Sequence, residues 1–243
     1  MYTKNLMIID PSLEIPELES YNKLASKSPI QTSYHLPAIH NSKSMENQIK
    51  NVSGVILMGS AASVHDNFDW MKNITIVIKK AIEKKVPILG ICFGHQFLAH
   101  IFGGKIKLLW NSKKKIGIRK VKLNNNNLLK STFEDYLIYS HQEGVVECPT
   151  DFTISGSSSM VEIEAISHKH LPIWSFQTHI EASNIFAERI GINQNDFKKV
   201  QQINFKVEAL HKKRIIPGKY FRMFILVFGL GALTMAIIGY ILS

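Results

Sequence analysis

The stretch Pro87-Ile88-Leu89-Gly90-Ile91-Cys92-Phe93-Gly94-His95-Gln96 decides the fold of this 243-residue chain. Val86 to Ile91 is a short apolar run of the kind that forms a buried strand. Phe97 to Phe102 continues as an apolar helix, which Gly103-Gly104 ends. Cys92 sits at the turn between them, with a glycine two residues to either side. A nucleophile on a sharp strand-to-helix turn needs such small neighbours, because the backbone there is strained and crowded. A thiol at a helix start also feels the positive end of the helix dipole, which favours the thiolate. A buried structural cysteine in an ordinary strand–turn–helix has the same local pattern. The partners of Cys92 therefore carry the decision.

Those partners lie downstream. Leu171 to Gln177 reads as a short strand, followed by Thr178-His179-Ile180-Glu181. In an extended chain alternate residues share a face, so His179 and Glu181 fall together. A carboxylate there can orient the imidazole and stabilise its charged form, while the other ring nitrogen serves the thiol. A solvated loop carrying His-x-Glu is the alternative reading of that pair taken alone.

Outward from the elbow, strand and helix alternate. Leu6 to Ile9 and Val55 to Leu57 are apolar strands; Asp10 ends the first. Trp70, Ile74, Val77, Ile78, Ala81 and Ile82 mark one helix face at 3.6-residue spacing. The pattern predicts a three-layer α/β domain with a mostly parallel central sheet and a nucleophile elbow. From Lys105 to His168 the character changes. Ile116 to Leu123 and Val161 to Ile166 read as added strands, separated by turn clusters at Asn124 to Asn127 and Ser155 to Ser159. Two cysteines make no disulfide framework and suit a reducing compartment. Among ten histidines, His168-Lys169-His170 is the tightest pair, but no ligand set follows at zinc spacing, so no metal is expected. His95 reads as a lining residue of the elbow region.

The tail is a second feature. Met223 to Leu242 carries no charge, and as a helix it would span about 30 Å, the thickness of a bilayer core. Lys198 to Arg222 before it holds eight basic residues against Glu208 alone. Much of the chain's formal charge of +10 thus lies beside a candidate span, where anionic headgroups are its simplest partner and nucleic acid is not expected. The predicted organisation is a domain over 1–194, a basic juxtamembrane linker over 195–222, and a C-terminal transmembrane helix over 223–242. The chain is expected in a membrane as a single-pass, tail-anchored protein with the N-terminal domain cytoplasmic. Gly229, Ala232, Ala236 and Gly239 share one face of that helix, as at a close helix–helix contact, though small residues are common in spans generally.

Four motifs in order resemble those of the class I (triad-type) glutamine amidotransferases, in the style of the glutaminase domain of GMP synthase and its stand-alone relatives. The resemblance covers roughly Asn5 to Gly191. The elbow matches G-x-C-x-G-x-Q through Gln96. Ser175-Phe176-Gln177-Thr178-His179-Ile180-Glu181 stands for a late G-x-Q-F-H-P-E motif. Tyr139-Ser140-His141 matches a Ser-His pair after a strand, and Leu57-Met58-Gly59-Ser60-Ala61 an L-S-G-G-P loop. Departures fall at Ser60, Ala61, Ser175, Thr178 and Ile180; if the loop needs positive φ at Ser60, that serine is penalised.

The resemblance implies Cys92, His179 and Glu181 as a catalytic triad. It implies backbone N–H groups of Phe93 and of Ser60 or Gly59 as an oxyanion hole. It implies Gln96, Ser140 and His141 as contacts for the amino-acid end of the substrate. No cofactor is needed for that half-reaction. The implied partners are glutamine or another γ-glutamyl amide, the lipid bilayer, and a synthetase subunit in trans that takes the ammonia. A γ-glutamyl hydrolase or peptidase acting alone uses the same triad. A non-catalytic, membrane-tethered binding module is a third class.

Overall fold

The computed structural model describes residues 5–28, 30–40, 42–124 and 132–201. The expected strands near the N-terminus form as β1 (Asn5–Ile9) and β3 (Val52–Leu57), with β2 (Gln31–His35) between them in sequence. Helix α1 (Leu18–Lys27) joins β1 to β2, and α2 (Lys43–Gln48) precedes β3. The periodic segment folds as α3 (Asp69–Glu83), which buries Met71, Ile74, Val77, Ile78 and Ala81 on one face. The elbow joins β4 (Ile88–Ile91) to α4 (Phe93–Ile101), a helix that starts directly after Cys92. Then follow β5 (Lys105–Leu108), β6 (Lys115–Leu123), β7 (Phe133–His141), β8 (Glu143–Glu147), β9 (Phe152–Ser157), β10 (Ala165–His168) and β11 (Ile173–Phe176). Helices α5 (Asn184–Arg189) and α6 (Gln194–Gln201) are the last elements among the described residues.

Among the described residues nine strands make one sheet in the order β2-β1-β3-β4-β11-β10-β9-β6-β7, while β5 and β8 pair separately. The expectation of a mostly parallel sheet is corrected to a mixed one. From β2 to β11 the neighbours are parallel. From β11 to β7 every neighbouring pair is antiparallel. The reason is connection length: β9, β10 and β11 follow one another through short turns. Such turns can join only antiparallel neighbours, whereas a parallel pair needs a crossover of a dozen or more residues. Periodicity in single strands does not reveal this, because direction is set by what lies between them.

Two local expectations also shift. The run Val161 to Ile166 contributes only its end to β10, and Ser155 to Ser157 finish β9 rather than open a turn. Of the four-asparagine cluster, only Asn124 is among the described residues. No helix among the described residues is long and apolar enough to cross a membrane. Met223 to Leu242 and most of the basic linker lie outside those residues.

Apolar packing holds the parallel half of the sheet between helices. Met7, Ile9, Val55, Leu57 and Ile88 are buried with Phe93, Phe97 and Leu98 of α4 and with the inner face of α3. Both faces of these strands are covered, so their sequences read as continuous apolar runs. The carboxyl ends of β1, β3, β4 and β11 all lie at one edge of the sheet, since they run parallel. Asp10, Gly59, Cys92 and Gln177 follow those ends. Open α/β sheets build their sites at such an edge.

Candidate active site

Cys92 adopts φ 51° and ψ −104°, a conformation that costs a non-glycine residue on the order of 1–3 kcal/mol. Its neighbours hold it there. Its N–H donates to the Phe176 carbonyl at 2.8 Å, and its carbonyl accepts from Gln96 N–H at 3.1 Å. A Cβ at Gly90 would stand 2.5 Å from the Gly94 carbonyl oxygen, and one at Gly94 would collide with the Leu57 carbonyl. The elbow is thus a place where three backbones meet too closely for side chains. Phe93, fully buried, packs its ring against Phe97 and Trp70 and pins the first turn of α4 into the core. Cys92 thus stands at the positive, N-terminal end of the α4 dipole.

His179 follows β11. Its N–H donates to the Ile138 carbonyl at 2.8 Å, its ring lies against Phe186 at 4.8 Å, and its Nδ1 is 2.9 Å from Glu181 Oε1. Burial by itself would lower the imidazole pKa. The charges of Cys92 and Glu181, with hydrogen bonds from both, outweigh it and hold His179 well above its ordinary 6.5. Nδ1 is committed to Glu181, which leaves Nε2 as the ring nitrogen available to the thiol. Glu181 is buried, and its Oε2 has no hydrogen-bond partner among the described residues. Lys23 donates to the Ala182 carbonyl beside it; burial pushes this lysine down to about 8, against a raising pull from Glu181.

Gly59, just past β3, lies between the two reactive side chains: a Cβ there would stand 3.0 Å from His179 Cε1 and 3.5 Å from Cys92 Cβ. Ser60 is not among the residues with positive φ, so the anticipated penalty for a serine in this loop does not arise. Its hydroxyl instead donates to the Pro11 carbonyl at 2.7 Å and accepts from Ala62 N–H at 3.1 Å. The loop is thereby tied to the segment after β1. Asp10 shapes that segment: its carboxylate accepts from Ser12 N–H and Oγ, from Glu17 N–H and from the Tyr34 hydroxyl.

These parts enclose a cleft of about 430 Å³ whose wall includes Gly59, Ser60, Cys92, Ser140, His179 and Glu181. Glu17 and Arg189, 172 positions apart, pair at its mouth. The thiol is 4.0 Å from the Ser140 carbonyl. Gln96 and the His141 side chain, named with the Ser140 backbone as substrate contacts by the resemblance, are not among the residues that line this cleft. Gln96 Nε2 donates to the Glu143 carbonyl at 2.8 Å and reaches Gln177 Oε1 at 3.2 Å. His141 Nδ1 meets the same Glu143 carbonyl at 2.7 Å. His95 is buried and hydrogen-bonds Ser175 Oγ at 2.9 Å, which accounts for the serine at that motif position; burial takes this histidine down to about 3. No group of three or more His, Cys, Asp or Glu side chains suited to a metal occurs among the described residues.

Sequence reasoning missed Gln177 as a neighbour of the thiol, though its Nε2 is 3.8 Å from Cys92 Sγ. It also missed Asp10 as the organiser of the cleft rim. The signal for Asp10 was present, because a carboxylate ending an apolar strand has to find donors. Nothing in the sequence pairs Glu17 with Arg189.

Known proteins resemble this chain in sequence and in shape. A glutamine-hydrolyzing GMP synthase subunit of Saccharolobus solfataricus is 30% identical over 180 residues, covering 71% of this chain and 93% of that protein. Gamma-glutamyl peptidase 3 of Arabidopsis thaliana is 30% identical over 130 residues, half of this chain, which spans about half (52%) of the peptidase. The crystal structure of a GMP synthase subunit protein from Thermoplasma acidophilum superposes with a TM-score of 0.61 at 23% identity, covering 75% of this chain and 87% of that one; this likeness concerns the fold. The family model described as glutamine amidotransferase class-I matches residues 17–189, so the chain belongs to the class I glutamine amidotransferases.

Proposed function

We propose that this chain hydrolyses the side-chain amide of glutamine and passes the ammonia to a synthetase acting in trans. The observation that carries the reading is the strained Cys92 elbow, opening on a cleft beside the hydrogen-bonded pair His179–Glu181. In the proposed reaction the Cys92 proton already rests on His179 Nε2, in keeping with the raised imidazole, and the sulfur attacks the amide carbon. The C=O electrons move to oxygen, where the backbone N–H groups of Phe93 and of Gly59 or Ser60 receive the charge. His179 returns the proton to nitrogen, ammonia leaves, and a γ-glutamyl thioester remains. Water, deprotonated by His179, then attacks the thioester; the thiol is restored and glutamate departs. Glu181 keeps the imidazole oriented and stabilises its charged form.

Likeness to the Saccharolobus protein supports the glutaminase reading, because that protein's name describes glutamine hydrolysis. Likeness to the plant peptidase keeps a second reading, hydrolysis of another γ-glutamyl amide without a partner. Incubating purified full-length protein with glutamine and with a set of γ-glutamyl amides separates them. Ammonia and glutamate from glutamine are expected. Amine release from the other amides alone would favour the peptidase reading, and no product from any of them would favour a binding module.

We further propose that Met223 to Leu242 anchors the chain in a membrane with the family domain on the cytoplasmic side. Each central Leu, Ile, Phe or Val contributes about −0.3 to −0.6 kcal/mol to insertion, and no charge in this segment opposes them. Full-length protein is expected to stay with membranes through carbonate and high salt, while truncation before Tyr220 releases it. Release of the intact chain by salt alone would show attachment through the basic segment instead.

A further inference from the structure

A closed ring of hydrogen bonds lies behind Cys92. Arg119 NH2 donates to Glu164 Oε2 at 2.6 Å, and the Nε of the same guanidinium stands in ion-pair contact with Oε1 at 2.5 Å, without a hydrogen bond, with both side chains almost fully buried. Ser158 Oγ donates to Glu164 Oε1 at 2.5 Å. Arg119 NH2 also donates to His141 Nε2 at 2.9 Å, and the guanidinium lies over the Tyr139 ring at 4.3 Å. A guanidinium can only donate, so His141 Nε2 must accept and its proton must sit on Nδ1. That Nδ1–H donates to the Glu143 carbonyl, which also takes Gln96 Nε2. Gln96 reaches Gln177 Oε1, and Gln177 N–H closes the ring on the Glu164 carbonyl at 2.7 Å. With Oε1 fixed as an acceptor, the Gln177 amide turns its Nε2 to Cys92 Sγ.

A buried ion pair is a weak source of stability, since well-packed apolar residues often replace one without loss. This pair has a specific reach instead. It joins β6, β7, the start of β10 and the end of β11 to the side chains around the thiol. We propose that Arg119, held by Glu164, is a positioning residue: it fixes His141 as the neutral Nδ1–H tautomer, and through the Glu143 carbonyl it sets the Gln96 and Gln177 amides beside Cys92. Burial, reinforced by the Arg119 charge, takes His141 down to about 3, in keeping with a ring that stays neutral. The proposal rests on the reading of Cys92 as a nucleophile acting on glutamine.

The test uses the full chain in detergent. ¹⁵N NMR of wild-type protein at pH 7 should show His141 neutral with its proton on Nδ1. An Nε2–H tautomer or an imidazolium overturns the proposal before any variant is made. The paired variant Arg119→Met with Glu164→Leu removes both charges and leaves neither stranded. It should fold, lose the single tautomer, and raise KM for glutamine about tenfold or more with a smaller change in kcat, as expected for losing a buried hydrogen bond that aligns a binding wall. Arg119→Lys, which keeps a donor, should recover part of that loss. Wild-type KM and kcat in a folded paired variant overturn the proposal. If the paired variant does not fold, the tautomer of wild type and the KM of Arg119→Lys decide. Wild-type protein that releases no ammonia refutes the glutaminase reading instead, and the NMR result still judges the ring.

Discussion

The two halves of the sheet position the site by different physics. In the parallel half, from β2 to β11, shape decides. Gly90 and Gly94 admit no Cβ, Phe93 is locked among aromatic rings, and Cys92 is bent into a strained conformation by backbone contact. In the antiparallel half, from β11 to β7, hydrogen bonds and charge decide. Arg119 and Glu164 are buried as an ion pair, and His141 is held neutral between a guanidinium and a carbonyl. Packing places Cys92, while polar groups with fixed donor and acceptor roles orient what stands around it. The difference lies in tolerance: a close-packed contact fails when an atom is added, and a buried polar network fails when a partner is removed.

The largest expected effect removes the chemistry and leaves both halves folded. Cys92→Ala and His179→Ala should each lower glutamine hydrolysis by about 10⁴-fold or more, while Glu181→Ala keeps a remnant, because triad members act as a unit and the orienting acid matters least. Initial-rate ammonia assays on folded variants check this. Wild-type turnover in His179→Ala would place the base elsewhere.

A smaller break attacks the shape-determined half. Gly94→Ala forces a Cβ onto the Leu57 carbonyl, and neither backbone can yield easily. Destabilisation of about 3 kcal/mol or more is expected in denaturant titration. Gly103→Ala is the control: φ is +88° but nothing lies within 4 Å of a new Cβ, so only backbone strain of about 1 kcal/mol is at stake. Equal losses from the two substitutions would show that the elbow is not sterically set.

The mildest probe is pH. His95 and His141 sit far below their ordinary 6.5, at about 3, so the unfolded chain binds more protons than the native one between those values. Stability should fall as pH drops below about 6.5. His179 is shifted the other way; the stability it contributes is full below 6.5 and is lost as pH rises through its raised folded value. Thermal melts across pH 5 to 7.5, below the range in which Lys23 titrates, should therefore peak near the ordinary histidine value. A melting temperature that keeps rising from pH 6.5 to 7.5 would contradict the charged state of His179.

Much of the shape-determined half was legible in the sequence. The apolar runs of β1, β3 and β4, the 3.6-residue face of α3 and the Gly-x-Cys-x-Gly elbow all follow from local pattern. His179 and Glu181 were paired on the expectation of an extended chain; in the structure both lie past the end of β11, Glu181 in a turn, and the Nδ1–Oε1 hydrogen bond joins them. The antiparallel half was not. Strand direction depends on turns, and Arg119, His141 and Glu164 lie far apart in sequence with no periodic signal of burial. A buried arginine on a strand looks like a solvated one until its partner is known. The same holds for Gln96 and His141, whose place outside the cleft lining depends on which hydrogen bonds the Glu143 carbonyl accepts.

The position of β4 has a consequence for synthesis. Its two neighbours are β3, made earlier, and β11, whose Ile173 pairs with Ile88. A nascent chain therefore has the elbow ready while one flank of its strand is still open. Gln177, which comes to lie over the thiol, is 85 positions further on. At about 5–20 residues per second, translation leaves that flank open for several seconds. During that interval Cys92, the proposed nucleophile, is guarded by no native neighbour on that side and is exposed to oxidants and stray disulfide partners before it has any substrate to meet.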